Sequence, residues 1–353
     1  MKKKGTKILI IVLIVLIIIA GVLLAVKIVK DKNSVEVANS DNINVNQTSE
    51  QGEVKRPKTF AGDTRPIAVM IDNNINAMPQ AGLQEADLVY EIIVEGGETR
   101  MMIVLKDKDL DRVGPIRSSR HYFLDYALEN DAIYVHYGWS PQAQSDISKL
   151  GVNNINGIYE SSSSFWRDSS RYAPHNAVTS TENILKIAER KEYRTKTTKE
   201  PVLKYVVDEV NLDNGTVADT VTIPYSESNT VKYIYNPENK EYTRYSRGKK
   251  QTDWNSDKTV TTKNIIIEKA ENWTLQDGSS KGRQTLDNVK TLDGYYITNG
   301  KAIQIKCEKS SRASQTVYKD LEGNEINVND GKTFIQICPL NAKVKIEGDK
   351  EIE

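Results

Sequence analysis

The chain has 353 residues, and its 48 lysines and arginines are matched by 48 aspartates and glutamates. That balance lacks the basic excess with which a nucleic-acid binder neutralises phosphates, so it argues against nucleic acid as a partner. With only 20 glycines and 10 prolines, the bulk is neither fibrous nor wholly disordered.

Lys2, Lys3, Lys4 and Lys7 precede Ile8–Val26, nineteen residues without a polar or charged side chain. As a helix this run is about 28 Å long, close to the roughly 30 Å of a bilayer's hydrocarbon core. A cleaved signal peptide has a shorter apolar run and small residues before the cut. The nearest candidate cut, before Val26, puts Leu23 and Ala25 at the key positions. Residues 1–30 therefore read as a retained signal anchor, a transmembrane helix. Nothing on it is polar enough to make the two faces of a buried core helix. Lys27, Lys30 and Lys32 follow, with Asp31 among them. The lysine bias is small, but the short leading segment favours that end inside and the bulk of the chain outside the cell membrane, with a single pass. No cysteine lies near the span, which excludes a lipid-modified N-terminus. Residues 31–62 are rich in Asn, Ser, Glu and Lys and read as a flexible linker.

From Pro66 the texture changes. "PIAVMID", "ADLVYEIIVE" and "RMMIVLKD" read as strands. "SSRHYFLDYALEND" places Tyr122, Phe123, Tyr126 and Ala127 at helical spacing, with Ser118 or Ser119 as the N-cap. "AIYVHYG" is another strand. "SPQAQSDISKLG" is a short helix with Ser140 as cap, Pro141 at its first position and Gly151 after its end. "STENILKIAERKEYR" is a helix capped by Ser180 or Thr181. Residues 63–195 thus form a mixed-sheet α/β domain. After "TKTTKEP", residues 200–348 show only short strands: "VLKYVVDE", "TVTIPYS", "TVKYIYN", "KEYTRYS", "KNIIIEKA", "YYITNG", "AIQIK" and "TFIQIC", with turn residues between them. The expected fold class is α+β: a transmembrane helix, then the α/β domain, then an all-β domain. Cys307 and Cys338 lie in two of the late strands. They form a disulfide if those strands are neighbours, or they are two small buried hydrophobes.

The residues that carry chemistry fall in the first domain. Asp72 and Asn73 end the first strand, Glu91 and Glu95 sit in the second, and Arg100 opens the third. In an unbroken strand Glu91 and Glu95 share a face but stand about 13 Å apart, too far for a carboxyl pair to act together unless Gly96 and Gly97 distort the strand. Each is free to pair with an arginine instead. "VGPIRSSR" sets Arg117 at a turn and Arg120 in the expected first helical turn. Cations at a helix N-terminus oppose its dipole unless something negative compensates, either a ligand or Asp72, Glu91 and Glu95. Ser118 adds a hydroxyl. His136 ends a strand and His175 follows Pro174 beside Asn176, with Arg167 near in sequence. His136, His175, Asp72 and Glu91 are the acid–base candidates. Arg100, Arg117, Ser118, Arg120, Glu95, Asn73, Arg167 and Asn176 are the ligand-binding candidates. No HxH, HExxH or GxSxG spacing occurs, so no metal, cofactor or serine nucleophile is expected.

Taken together, "RPIAVMIDN", "PQAGLQEADLVYEIIVEGGETR", "VGPIRSSR", "HYGWSP" and "RYAPHN" resemble the YerB-like proteins over roughly residues 60–345. These are bacterial extracytoplasmic proteins, often lipoproteins, with a two-part domain of unknown function. The resemblance implies an envelope location and no reaction. It also implies a large aromatic residue where Cys307 stands, and a lipidated cysteine where this chain has an apolar helix instead. Three functions follow as expectations. The first is binding of an anionic envelope component or envelope protein through an arginine and carboxylate cleft. The second is a hydrolase or transferase acting on a cell-wall or phospho-linked polymer. The third is a scaffold for a membrane enzyme.

Overall fold

The computed structural model describes residues 55–348. The expected anchor Ile8–Val26 and the linker up to residue 54 lie outside the described residues. Among the described residues no helix is long and apolar enough to cross a membrane.

Every residue of Ile67–Asp72 (β1), Leu88–Ile93 (β2) and Thr99–Leu105 (β3) is buried, so both faces of these strands need a cover. β3 pairs antiparallel with both β1 and β2. Ile133–His136 (β4) runs parallel to β1, and Asn154–Asn156 (β5) parallel to β4. Thr220–Ser226 (β6), Asn229–Asn236 (β7) and Glu241–Ser246 (β8) alternate buried and half-exposed residues and form the centre of a second, antiparallel sheet. Asn264–Thr274 (β9), Thr291–Thr298 (β10), Lys301–Glu308 (β11) and Thr333–Pro339 (β12) return to the first sheet. Its order is β11-β10-β9-β12-β2-β3-β1-β4-β5, extended by shorter strands. β12 lies parallel to β9 on one side and to β2 on the other, so it sews the late strands to the early ones.

The alternation of side chains sorts the core into two layers. Ala68, Met70, Tyr90 and Met102 pack beneath Phe123, Tyr126 and Ala127 of the helix Phe123–Glu129 (α1). Val69, Ile71, Val89 and Ile103 face the opposite way, toward Val221, Val231 and Tyr233 of the second sheet and Ile184 and Ile187 of a later helix. Between α1 and that helix lies Pro141–Lys149 (α2); the later helix is Thr181–Arg190 (α3). The protein is therefore mostly β, with few helices and a mixed central sheet, and residues 200–348 hold no helix among those described.

Ser140 caps α2 by accepting from Ala143 N, and Ser180 caps α3 by accepting from Asn183 N, as the sequence predicts. The start of α1 differs. Its N-cap is Tyr122, without a side-chain cap, rather than Ser118 or Ser119. The reason is tertiary. Arg117 N donates to Met70 O, Tyr137 N to Arg117 O and Ser119 N to Gly138 O, so residues 117–119 are held extended between the ends of β1 and β4. The disulfide alternative is excluded. Cys307 on β11 and Cys338 on β12 are free and buried, with two strands between them, in opposite core layers. "VLKYVVDE" contributes only the strand Tyr205–Val206.

Candidate functional site

Where β1 and β4 part, the segment 116–119 fills the gap in the sheet, and the ends of β1, β2 and β3 come together beside it. Asp72 closes β1 directly opposite Arg100 at the start of β3. β2 stops at Ile93, and Gly96 and Gly97, both at positive φ, turn the chain through Glu95–Gly97. This turn takes Glu95 off the strand face it was expected to share with Glu91. A Cβ on Gly97 would come 2.8 Å from Ser226, whose hydroxyl donates to Gly97 O. The second sheet thus holds the turn in place.

An open cleft of about 320 Å³ results, lined by Asp72, Glu95, Arg100, Arg117, Arg120 and His175, with Asn74, Glu98, Thr99 and Lys281 around them. Arg120 grips Glu95 with two prongs, Nε to Oε1 at 2.5 Å and Nη2 to Oε2 at 3.0 Å. Burial works to raise the Glu95 pKa, but the Arg120 hydrogen bond and charge, with Arg100 behind them, hold it below the usual range. Arg100 donates to Ser118 O at 2.6 Å and comes no nearer than 3.9 Å to Glu95. Burial, then repulsion from Arg120, lowers the Arg100 pKa to about 10. Arg117 Nε lies 3.1 Å from Asp72 Oδ2, at an angle that forms no hydrogen bond. Asp72 Oδ2 instead accepts from His175 Nδ1 at 2.7 Å, and Asp72 Oδ1 from Asn74 N. Glu98 is engaged by Arg247 at 2.5 Å. Three guanidiniums therefore face two carboxylates, Asp72 and Glu95.

The other candidate residues lie elsewhere. His136 is a correction: it is fully buried, bonded to Gly138 O and Asn154, and burial lowers its pKa to about 4, so it reaches no cleft. Glu91 is a second correction. It is sealed under Arg244, whose Nη2 lies 2.6 Å from Glu91 Oε2, and it accepts from Asn73 and Thr99 as well. Asn73 is consumed by that network and by Gln80. Ser118 contributes its carbonyl, not its hydroxyl, to Arg100. Asn176 accepts from Arg167 and donates to Asp168 O and Arg171 O, bracing the loop that carries His175. Arg171, near His175 in sequence, clamps the same loop through Ala77 O and Pro79 O and lies 3.6 Å over the Trp254 ring. Lys281 had no signal in its loop. Among the described residues no cluster suits a metal ion.

Residues 52–194 match the family described as "Protein of unknown function (DUF3048) N-terminal domain", and residues 221–335 match its C-terminal domain. Over 293 residues the chain is 33% identical to "Putative lipoprotein YerB" of Bacillus subtilis (strain 168), covering 78% of this chain and 82% of that one. The crystal structure of the YerB protein from Bacillus subtilis is similar with a TM-score of 0.71 at 32% identity, over 80% of this chain and 94% of the other.

Proposed function

The chain belongs to the YerB-like family of proteins with these two domains of unknown function, and from that premise we propose that it is a membrane-tethered extracytoplasmic protein that binds an anionic envelope component in the arginine cleft. The relative carries the name "Putative lipoprotein YerB". This chain has no cysteine before Cys307, so its tether is the apolar run Ile8–Val26, with the N-terminus inside and the body outside. One observation carries the binding. Arg117 faces an open cleft and makes no side-chain hydrogen bond among the described residues, while Arg100 beside it has only one carbonyl and a distant carboxylate. A planar fork with unused donors in a half-buried site is suited to a phosphate or carboxylate.

The test uses the full chain in phosphatidylcholine nanodiscs, titrated calorimetrically with inorganic phosphate, short glycerol-phosphate polymers and carboxylate-bearing peptidoglycan fragments. Saturable binding is expected, weakened about tenfold in Arg117→Ala, which corresponds to ~1.4 kcal/mol. Binding that is absent for all probes, or unchanged in the folded variant, refutes the site.

A second reading rests on the His175 and Asp72 pair. Asp72 orients the imidazole through Nδ1 and leaves Nε2 without a partner among the described residues. That is the geometry of a positioned acid–base group, with arginines at hand to stabilise developing negative charge on a phospho-linked or wall polymer. Mass spectrometry of such polymers after incubation decides it. The reading requires new products that vanish in His175→Asn while binding persists.

A further inference from the structure

A second pocket, about 360 Å³, is lined by Trp139, Tyr159, Tyr193, Asn154, Asn156 and Gln144 among others. Its chemistry is unlike that of the arginine cleft. The one carboxylate, Glu160, is held by Arg190 and approached only to 4.0 Å by Lys191, so the pocket has no cluster of guanidiniums like that of the arginine cleft. What remains is the aromatic surface of Trp139, Tyr159 and Tyr193 and the amides of Gln144 and Asn156, since the Asn154 amide is engaged by His136 and Val152 O. Trp139 and Tyr159 stand 5.8 Å apart at 54°, making an angled wall, and Tyr159 is 72% exposed although no partner covers it among the described residues.

Asn156 supplies the decisive detail. It is 5% exposed, and its Oδ1 accepts from Gly138 N at 2.9 Å and Ile158 N at 3.2 Å. Two N–H donors on one side fix which end of the amide is oxygen, because flipping it would set donor against donor. Its Nδ2 is therefore a buried donor on a residue that lines the pocket, and it has no partner among the described residues. Buried donors are nearly always satisfied, and one left open where a pocket begins points to an absent acceptor. The ligand must then offer hydroxyl or carbonyl oxygens to amides and present an apolar face to an aromatic ring. A pyranose ring meets both conditions: its equatorial hydroxyls lie in the plane, and its axial C–H groups face an aromatic wall. The volume is at the lower end of the ~300–1,000 Å³ of small-molecule sites.

We propose that the Trp139 and Tyr159 pocket binds a neutral sugar ring of an envelope glycan. The inference is independent of anion binding in the arginine cleft. The two sites do share a strut, however, since Arg117 O accepts from Tyr137 N and Ser119 N donates to Gly138 O.

The experiment offers the full chain, in phosphatidylcholine nanodiscs rather than a sugar detergent, a panel of neutral oligosaccharides. The panel contains gluco, galacto and manno units, with and without N-acetyl groups, and binding is read by calorimetry and tryptophan fluorescence. At least one member is expected to bind saturably. Tyr159→Ala, a surface change that leaves the fold intact, is expected to weaken binding roughly tenfold. Trp139→Phe removes the fluorescence response, and Arg117→Ala leaves sugar affinity unchanged. The proposal is overturned if no member of the panel binds the folded chain, or if binding survives Tyr159→Ala and Trp139→Ala undiminished.

Discussion

Replacing Arg244 by methionine probes how the second sheet is fastened behind the cleft. Arg244 on β8 and Glu91 on β2 are both 0% exposed, with Nη2 2.6 Å from Oε2. Glu91 Oε1 also accepts from Thr99 Oγ1 at 2.7 Å and Asn73 Nδ2 at 3.0 Å, and Arg244 donates to Gln251 Oε1. At that separation and an effective dielectric near 20, the attraction is about 6 kcal/mol. Removing two ions from water costs several kcal/mol each, so the intact pair contributes little net stability. Arg244→Met changes the sum, because it leaves a carboxylate buried without its cation. The expected loss is about 3–5 kcal/mol. A Glu91→Gln/Arg244→Met double variant keeps the oxygen that Thr99 and Asn73 use, and is expected to recover ~2 kcal/mol or more. Urea unfolding of the full chain in micelles, followed by tryptophan fluorescence, measures both. If Arg244→Met lies within ~1 kcal/mol of the parent, or the double variant is as unstable as the two singles summed, the pair is not the buried fastener described.

Glu268 gives a pH-dependent outcome. Burial, then the Glu129 charge, pushes its pKa up to about 7 from an ordinary 4.5, although Tyr318 donates to it at 2.7 Å. The folded state therefore holds a proton that the unfolded chain has lost, and this stabilisation fades as pH rises from about 4.5 through 7. Glu268→Gln is expected to equal the parent near pH 4 and to exceed it by ~3 kcal/mol at pH 8; parallel curves would refute the assignment. Burial pushes the Cys338 thiol up to about 12 and Cys307 well above its ordinary value. Neither thiol is expected to react with a thiol reagent in the native protein and both to react once it is unfolded, while a mass two units low after mild oxidation would contradict the strand order. Arg117→Met is expected to melt no lower than the parent, and phosphate to raise the melting temperature of the parent alone; calorimetric scans with and without phosphate check this.

Local features were legible in the sequence and distant pairings were not. "IAVMID" is buried on both faces and reads as a strand from its own residues, and the Ser140 and Ser180 caps need only their next turn. The start of α1 was misplaced because residues 117–119 follow β1 and β4, which lie far from them in sequence, rather than their own helical spacing. Glu91 finds Arg244 across 153 positions, beyond the reach of periodicity. His136 and His175 look alike in sequence; burial within β4 removes the first, and the clamped loop brings the second to Asp72.

The start of α1 at Phe123 leaves the arginines outside the helix. They do not oppose a helix dipole, because α1 begins at Phe123, beyond both of them, and is only seven residues long. The tension lies among the cations themselves. Arg100 is buried, bonded to a carbonyl and repelled by Arg120 and Arg117, which is why its proton is held less tightly than an arginine's usually is. Arg120 is balanced by Glu95, and Asp72 is divided between His175 and an ill-aimed Arg117. For the fold alone, Arg117 is the one member of the cluster whose removal relieves repulsion and breaks no side-chain hydrogen bond. On the proposed reading, Arg117, paired with Asp72 at 3.1 Å but without a side-chain hydrogen bond among the described residues, is a binding group held ready at some expense of stability. A guest anion would complete the charge balance that the protein leaves open.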